Sequence, residues 1–194
     1  MLENHAVLPR ADRAVDVAII GAGFSGSMVT VHLAHTLRCV REIALIEKQR
    51  RTGPGIADSP DNPLDLLNVA AGKMSAYPEK PSHFLEWLRE HPELLRQYRL
   101  ESLTEETFVP RSLFGLYVEL LVQRCAIRSG HVHRFEREAV DLVKVSDGSF
   151  RVVLANNTTI FARKVVLALG NFPPGDPVVA DQRFHRSNNY LTSR

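Results

Sequence analysis

Val15-Asp16-Val17-Ala18-Ile19-Ile20 is apolar on both faces of an extended chain, which predicts a strand in the middle of a parallel sheet. Helical spacing follows over Phe24–Leu37. A second apolar run, Ile43-Ala44-Leu45-Ile46, predicts a strand over Glu42–Glu47. From Arg51 to about Lys80 periodicity disappears and turn residues dominate. A structureless excursion of that length inside one domain usually serves a function. Pro81–Glu90 predicts a short helix with Phe84, Leu85 and Leu88 on one face, and Pro92 opens another short segment through Tyr98. Arg111–Ser129 predicts a long amphipathic helix with Leu113, Leu116, Tyr117, Leu120 and Leu121 near one stripe.

The last third changes period. His131–Phe135 reads as a third parallel strand. Ala139–Val145, Phe150–Leu154 and Thr159–Ala162 alternate and are separated by Asp147-Gly148 and Asn156-Asn157, which predicts an antiparallel meander. Lys164-Val165-Val166-Leu167-Ala168-Leu169-Gly170 then reads as a separate buried strand ending in glycine. No internal repeat is present. The expected organisation is a loose lead-in over 1–13, one domain over 14–175 with its excursion over 51–110, and an irregular tail over 176–194.

Between the first strand and the first helix lies Gly21-Ala22-Gly23-Phe24-Ser25-Gly26, and Glu47 closes the second strand. Strand, Gly-x-Gly-x-x-Gly, helix, strand, acid is the order that holds the adenosine diphosphate half of FAD or NAD(P). Gly21 serves the tight turn, Gly23 lets a pyrophosphate approach the backbone, and Gly26 lets helix and sheet pack closely. The helix start at Phe24 or Ser25 aims free N–H groups at the phosphates. A carboxylate at Glu47 accepts bonds from ribose hydroxyls and repels a 2′-phosphate, which argues against NADP in this first site. The competing reading is a glycine-rich turn that binds nothing. Ser25 is not a hydrolase nucleophile, because Gly23-Phe24-Ser25-Gly26-Ser27 lacks the last glycine of the Gly-x-Ser-x-Gly elbow. A phosphate contact or a helix-start role fits it better.

A hydrophobic share of 44% with 24% charged residues is ordinary for a globular domain, and 194 residues suffice for a full core. The formal charge of +2 is too small to imply a nucleic-acid partner, and the basic run Lys48-Gln49-Arg50-Arg51 is local. Cys39 and Cys125 form no ligand spacing and read as free thiols of a cytoplasmic protein. No secretory signal or membrane-spanning stretch is expected. His131 and His133 share one side of their strand, but no third ligand has matching spacing. His32 and His35 lack the His-Glu-x-x-His pattern, so no metal is expected. Trp87, Phe84 and Tyr77 either stack on a ligand or fill the core. Glu136-Arg137-Glu138 reads as a solvated charged turn.

Four stretches resemble the FAD/NAD(P)-binding flavoprotein oxidoreductases of the glutathione-reductase type, the family that includes flavin-dependent hydroxylases and monooxygenases. They are the Gly21 turn with Glu47-Lys48; Arg51-Thr52-Gly53-Pro54-Gly55-Ile56-Ala57; Leu66–Ala76 joined with Phe108–Gly115; and Val165–Pro174. The resemblance implies an α/β Rossmann-like FAD/NAD(P)-binding domain, a parallel sheet with helices and a three-stranded antiparallel meander. It implies FAD in the first site, with NAD(P)H as co-substrate, and a small-molecule substrate. A meander after the third parallel strand, foreign to a simple NAD domain, leans the same way. By the likeness, the backbone near Val140 meets the adenine, and Gly53, Gly55 and Ile56 with Asn68 and Met74 line the pyrophosphate and flavin side. Lys48 accompanies Glu47. Arg111 either reaches a phosphate or is an ordinary first residue of its helix, and Gly170 passes close to the cofactor. No general acid or base is assigned. Family members are usually much longer, so the chain reads as a short member, a fragment or one piece of a split protein, completed by a homodimer or a partner chain. The alternatives are a non-catalytic flavin- or nucleotide-binding module and a simple NAD-dependent dehydrogenase.

Overall fold

The computed structural model describes residues 13–36, 40–53, 55, 64–100, 102–171 and 183. Six strands form one sheet in the order β3-β2-β1-β6-β5-β4. β1 (Arg13–Ile20), β2 (Ile43–Ile46) and β3 (Val132–Phe135) run parallel, with Ile19 beside Leu45 and Leu45 beside Arg134. β4 (Ala139–Lys144), β5 (Phe150–Leu154) and β6 (Thr159–Leu167) form the antiparallel meander. This is the Rossmann-like α/β arrangement that the hydrophobic pattern predicts.

One boundary differs. The meander's last strand and the following apolar run are a single strand, β6, which pairs antiparallel with β5 from Thr159 to Ala162 and parallel with β1 from Ile160 to Leu167. The sequence shows a polar break at Arg163-Lys164. In the fold those side chains are simply exposed, while their backbone continues the ladder beside β1. The second half of β6 is therefore not the buried strand expected: Val165 and Val166 are half-buried and Leu167 is 59% exposed. Among the described residues, no strand pairs with the outer edge of β6 beyond Ala162.

One face of the sheet packs against helices. α1 (Phe24–Thr36) lies along α4 (Arg111–Ser129), and α2 (His83–Arg89) and α3 (Pro92–Gln97) follow each other beside them. Val17, Ile19, Ile43 and Leu45 from the sheet meet Val31, Phe84, Leu113, Tyr117 and Val118 there. The buried stripe of α4 runs through Phe114, Val118 and Val122 as well as Leu113, Tyr117 and Leu121, while Leu116 and Leu120 are only half-buried. Val15, Ala18, Ala44 and Ile46 form a second buried cluster with Phe135, Val152, Leu154 and Ile160 of the neighbouring strands. Trp87 and Phe84 are thus core residues, with ring centroids 6.0 Å apart.

The described part of the excursion from Leu64 onward is more ordered than its composition suggests. Leu66 bridges to Pro110, Leu67 N–H donates to the Val109 carbonyl, and a 3₁₀ turn over Ala71–Lys73 is tied to Thr107 and Glu105. These bonds bring together Leu66–Ala76 and Phe108–Gly115, which the sequence separates.

The N-terminal ends of the parallel strands carry ionic clasps. The Asp16 carboxylate accepts from the Arg41 and Glu42 N–H groups at 2.8 and 3.2 Å, and Glu42 sits between Arg13 (2.9 Å) and His133. His131 lies outside β3, and His133 serves this clasp. The Arg41 amide bond holds the Asp16 carboxyl below the usual range. At Glu42 burial pushes upward, but the bonds from Arg13 and His133 prevail and its carboxyl is lowered too. Burial lowers His83 on the helical side. All three groups are lowered in the fold, so each contributes stability above its unfolded value that is lost as pH falls. Tm is expected to decline first below about pH 6.5, from His83, and again below about pH 4, from Asp16 and Glu42. A His83→Gln variant should lack the first decline and an Asp16→Asn variant should soften the second, read by thermal melts across pH.

Candidate functional site

The glycine turn sits at the C-terminal edge of β1, where the sheet opens between β2 and β6. Gly21 N–H donates to the Ile46 carbonyl at 2.9 Å, and Ala168 N–H donates to the Ile20 carbonyl at 2.8 Å. Gly21 has φ +97°, and a methyl there would overlap the Ala168 carbonyl oxygen. A methyl on Gly26 would overlap the Gly21 carbonyl oxygen. Both glycines are therefore demanded by the protein's own backbone. Gly23 is not: a methyl there would meet only the Gly55 Cα, at an ordinary 3.5 Å.

The N–H groups of Gly23, Phe24 and Ser25 have no acceptor among the described residues. They are the orphan donors of the start of α1, a helix of 13 residues, and present partial positive charge to the same space. Ser25 itself is exposed in the first turn. A diphosphate supplies what this cradle lacks: oxygens for three donors and negative charge for the helix end.

Glu47 lies next to the loop. Its Oε2 accepts from Ala22 N–H at 2.8 Å and its Oε1 from Gln49 N–H at 3.0 Å. A carboxylate has about four lone-pair sites, so each oxygen retains capacity for a further donor. Beside it a cleft of about 210 Å³ is lined by Gly21, Glu47, Lys48, Arg137, Ala139 and Leu169, among others. Lys48 and Glu138 approach to 3.7 Å at this cleft. The Glu136–Glu138 turn is exposed, as its charges predict, and two of its residues, Arg137 and Glu138, also line this cleft.

A second cleft, about 290 Å³, is lined by Phe24, Lys73, Met74, Ser75 and Phe114. The loop runs between the two, with Gly21 on the first and Phe24 on the second. The wall of the second cleft is fixed from behind by Tyr117. Its buried hydroxyl accepts from Ala76 N–H at 3.1 Å and contacts His83 Nδ1 at 2.6 Å. Burial pushes the Tyr117 hydroxyl up to about 12, so it stays neutral beside the His83 imidazole. Tyr117→Phe leaves the Ala76 N–H without its acceptor and is expected to cost about 1–3 kcal/mol in denaturant unfolding.

Of the other residues singled out from the sequence, Gly53 and Gly55 lie against the turn: Gly53 N–H donates to the Ala22 carbonyl at 2.7 Å, and Gly55 faces Gly23. Asn68 is exposed and lines neither cleft. Arg111 opens α4, its N–H donating to the Asp65 carbonyl at 2.8 Å, and also lines neither. Val140 is 58% exposed, and its neighbour Ala139 is the cleft residue. Gly170 has φ +69° and open space where a side chain would stand. Ile56 lies outside the described residues. Lys73, Phe114 and Arg137 escaped sequence reasoning, because only the folded excursion and the β3–β4 turn bring them to the clefts. Among the described residues, no group of three or more His, Cys, Asp or Glu could hold a metal, and no helix is long and apolar enough to cross a membrane. Cys125 is a buried free thiol, and Cys39 lies outside the described residues.

A family model described as FAD-NAD(P)-binding matches residues 18–172, which include the loop, Glu47, both clefts and Gly170. The chain belongs to that family. No curated protein matches this FAD-NAD(P)-binding domain. Among solved structures, the flavin-containing monooxygenase from Stenotrophomonas maltophilia superposes with a TM-score of 0.55 at 19% identity, over 80% of this chain and 38% of that one. The open form of a cyclohexanone monooxygenase gives 0.55 at 23%, over 84% and 29%. A cyclohexanone monooxygenase from Rhodococcus sp. Phi1 bound to NADP+ gives 0.55 at 21%, over 84% and 28%. These likenesses are of fold, and the domain spans less than two fifths of each of those chains.

Proposed function

We propose that this domain binds FAD through the Gly21–Gly26 turn and serves an NAD(P)H-linked oxidoreductase, hydroxylase- or monooxygenase-like, as its FAD-binding portion. The observation that carries the reading is the contrast among the three glycines. Two are required by neighbouring backbone and the third is not, while the three N–H donors that start at Gly23 have no acceptor among the described residues. The diphosphate fits those donors, a ribose fits Glu47, and the adenine fits the cleft beside Lys48 and Ala139. The flavin ring fits the second cleft, between Phe24 and Phe114 and beside Met74. Bound FAD supplies the redox chemistry, and the chain's residues bind it, orient it and shape its surroundings. Glu47 disfavours a 2′-phosphate in this site, so a reduced nicotinamide would act as a co-substrate bound elsewhere.

The outer edge of β6, unpaired beyond Ala162 among the described residues, and the exposed Leu167 and Leu169 favour a further polypeptide segment there, from the same or a partner chain. A domain that needs such completion would bind flavin without turning over nicotinamide alone. Absorption spectra after FAD addition and desalting test the cofactor. Retained visible flavin bands are expected, and their loss, with NAD retained instead, would support a simple dehydrogenase. Steady NADH or NADPH consumption by the loaded protein would make the domain sufficient for catalysis.

A further inference from the structure

We infer that Arg51 and Glu119 form a clamp that holds a strap, Arg51 to Gly53 with Gly55, on the glycine turn and so governs how long the cofactor stays bound. The inference rests on the reading of that turn as the FAD diphosphate site. Nothing in the sequence singles out Glu119, which sits mid-way along α4. In the fold its Oε2 accepts from both Arg51 Nε at 3.2 Å and Arg51 Nη2 at 3.1 Å, and its side chain is only 15% exposed. Two residues on, Gly53 has φ +111° and lies so close to α4 that a methyl would stand 2.7 Å from the Glu119 nitrogen. Glu119 thus meets the strap twice, by carboxylate and by backbone.

The strap in turn meets the cradle twice. Gly53 N–H donates to the Ala22 carbonyl at 2.7 Å, and Gly55 lies against Gly23, where the proposed diphosphate site begins. Ala22 also donates its N–H to Glu47. Both backbone polar groups of Ala22 are therefore engaged, the N–H by Glu47 and the carbonyl by the strap together with the Ser27 hydroxyl at 3.0 Å. Arg51 and Glu119 line neither cleft, and the role assigned to them is positioning of the strap. The pair is half in solvent on the Arg51 side, which makes its effect modest and salt-sensitive.

The test uses the full chain in two measurements: FAD release after dilution into a trap, and hydrogen exchange of the Gly53 amide without FAD. Arg51→Gln and Glu119→Gln are each expected to speed FAD release about five-fold. The double variant should be no faster than either single one, and Arg51→Glu with Glu119→Arg should restore release to within about twofold of the parent. Gly53 exchange should rise in both single variants, with Tm moved by no more than about 2 °C. If Arg51→Gln speeds release while Glu119→Gln changes neither release nor exchange, Arg51 is a direct phosphate contact and the clamp is wrong. If the parent retains no FAD, the site assignment fails and the claim about release fails with it. Faster Gly53 exchange in the variants would then still report the strap contact on its own.

Discussion

A Gly23→Ala variant is expected to fold like the parent and to bind FAD at least about 100-fold more weakly. The added methyl meets only the Gly55 Cα at 3.5 Å, and Gly23 lies outside the left-handed backbone region, so neither packing nor strain opposes folding. On the proposed reading it takes up space that the diphosphate needs beside the Gly23, Phe24 and Ser25 N–H groups. Displacing a diphosphate from even two such donors forfeits about 1.5–3 kcal/mol each. Gly26→Ala has the reverse signature. Its methyl overlaps the Gly21 carbonyl oxygen, so the turn or α1 must shift, at about 1–3 kcal/mol of stability. Thermal melts and FAD titration of the pair separate the two roles: lost binding with an unchanged Tm for position 23, a lowered Tm for position 26.

Glu47→Ala is the second large effect. It removes the acceptor of Ala22 N–H and leaves Gln49 N–H to solvent, so the loop loses an anchor and the ribose loses its carboxylate together. A fall of about 10- to 100-fold in FAD affinity is expected, from one or two charge-assisted bonds. Glu47→Gln retains the carbonyl oxygen for Ala22 and should lie between. Adenosine 2′,5′-bisphosphate should compete for the Ala variant better than for the parent, because the charge that repels a 2′-phosphate is gone. Equal competition against both proteins would place the ribose away from residue 47.

Much of this fold is legible in the chain because its signals are local. The β1–turn–α1–β2–Glu47 unit is contiguous, with one period per element and glycines where backbones meet. Arg111–Ser129 likewise carries its own helical period and ends at Gly130, whose φ of +64° closes the helix. The errors come where tertiary pairing decides. Arg163-Lys164 looks like a break, yet a strand beside β1 tolerates polar side chains on an uncovered stretch, so β6 runs through. The excursion has no period of its own, because its order comes from bonds to residues some 30 or more positions away, such as Leu67 to Val109 and Gly72 to Glu105. For the same reason the second cleft was only partly foreseen. Phe24 follows from the glycine turn and Met74 from the family likeness, whereas Lys73 and Phe114 reach it through that distant pairing. Asn68 and Arg111 came from family likeness alone, and neither lines a cleft.

The central claim is that the bare backbone at the start of α1 grips a diphosphate. Amide-resolved titration of the labelled protein with FAD, and separately with ADP, tests it most directly. The account predicts that both ligands move the Gly23, Phe24 and Ser25 amides and quench their exchange, with Gln49 following through Glu47. Binding of either ligand that leaves those three amides unmoved would contradict it.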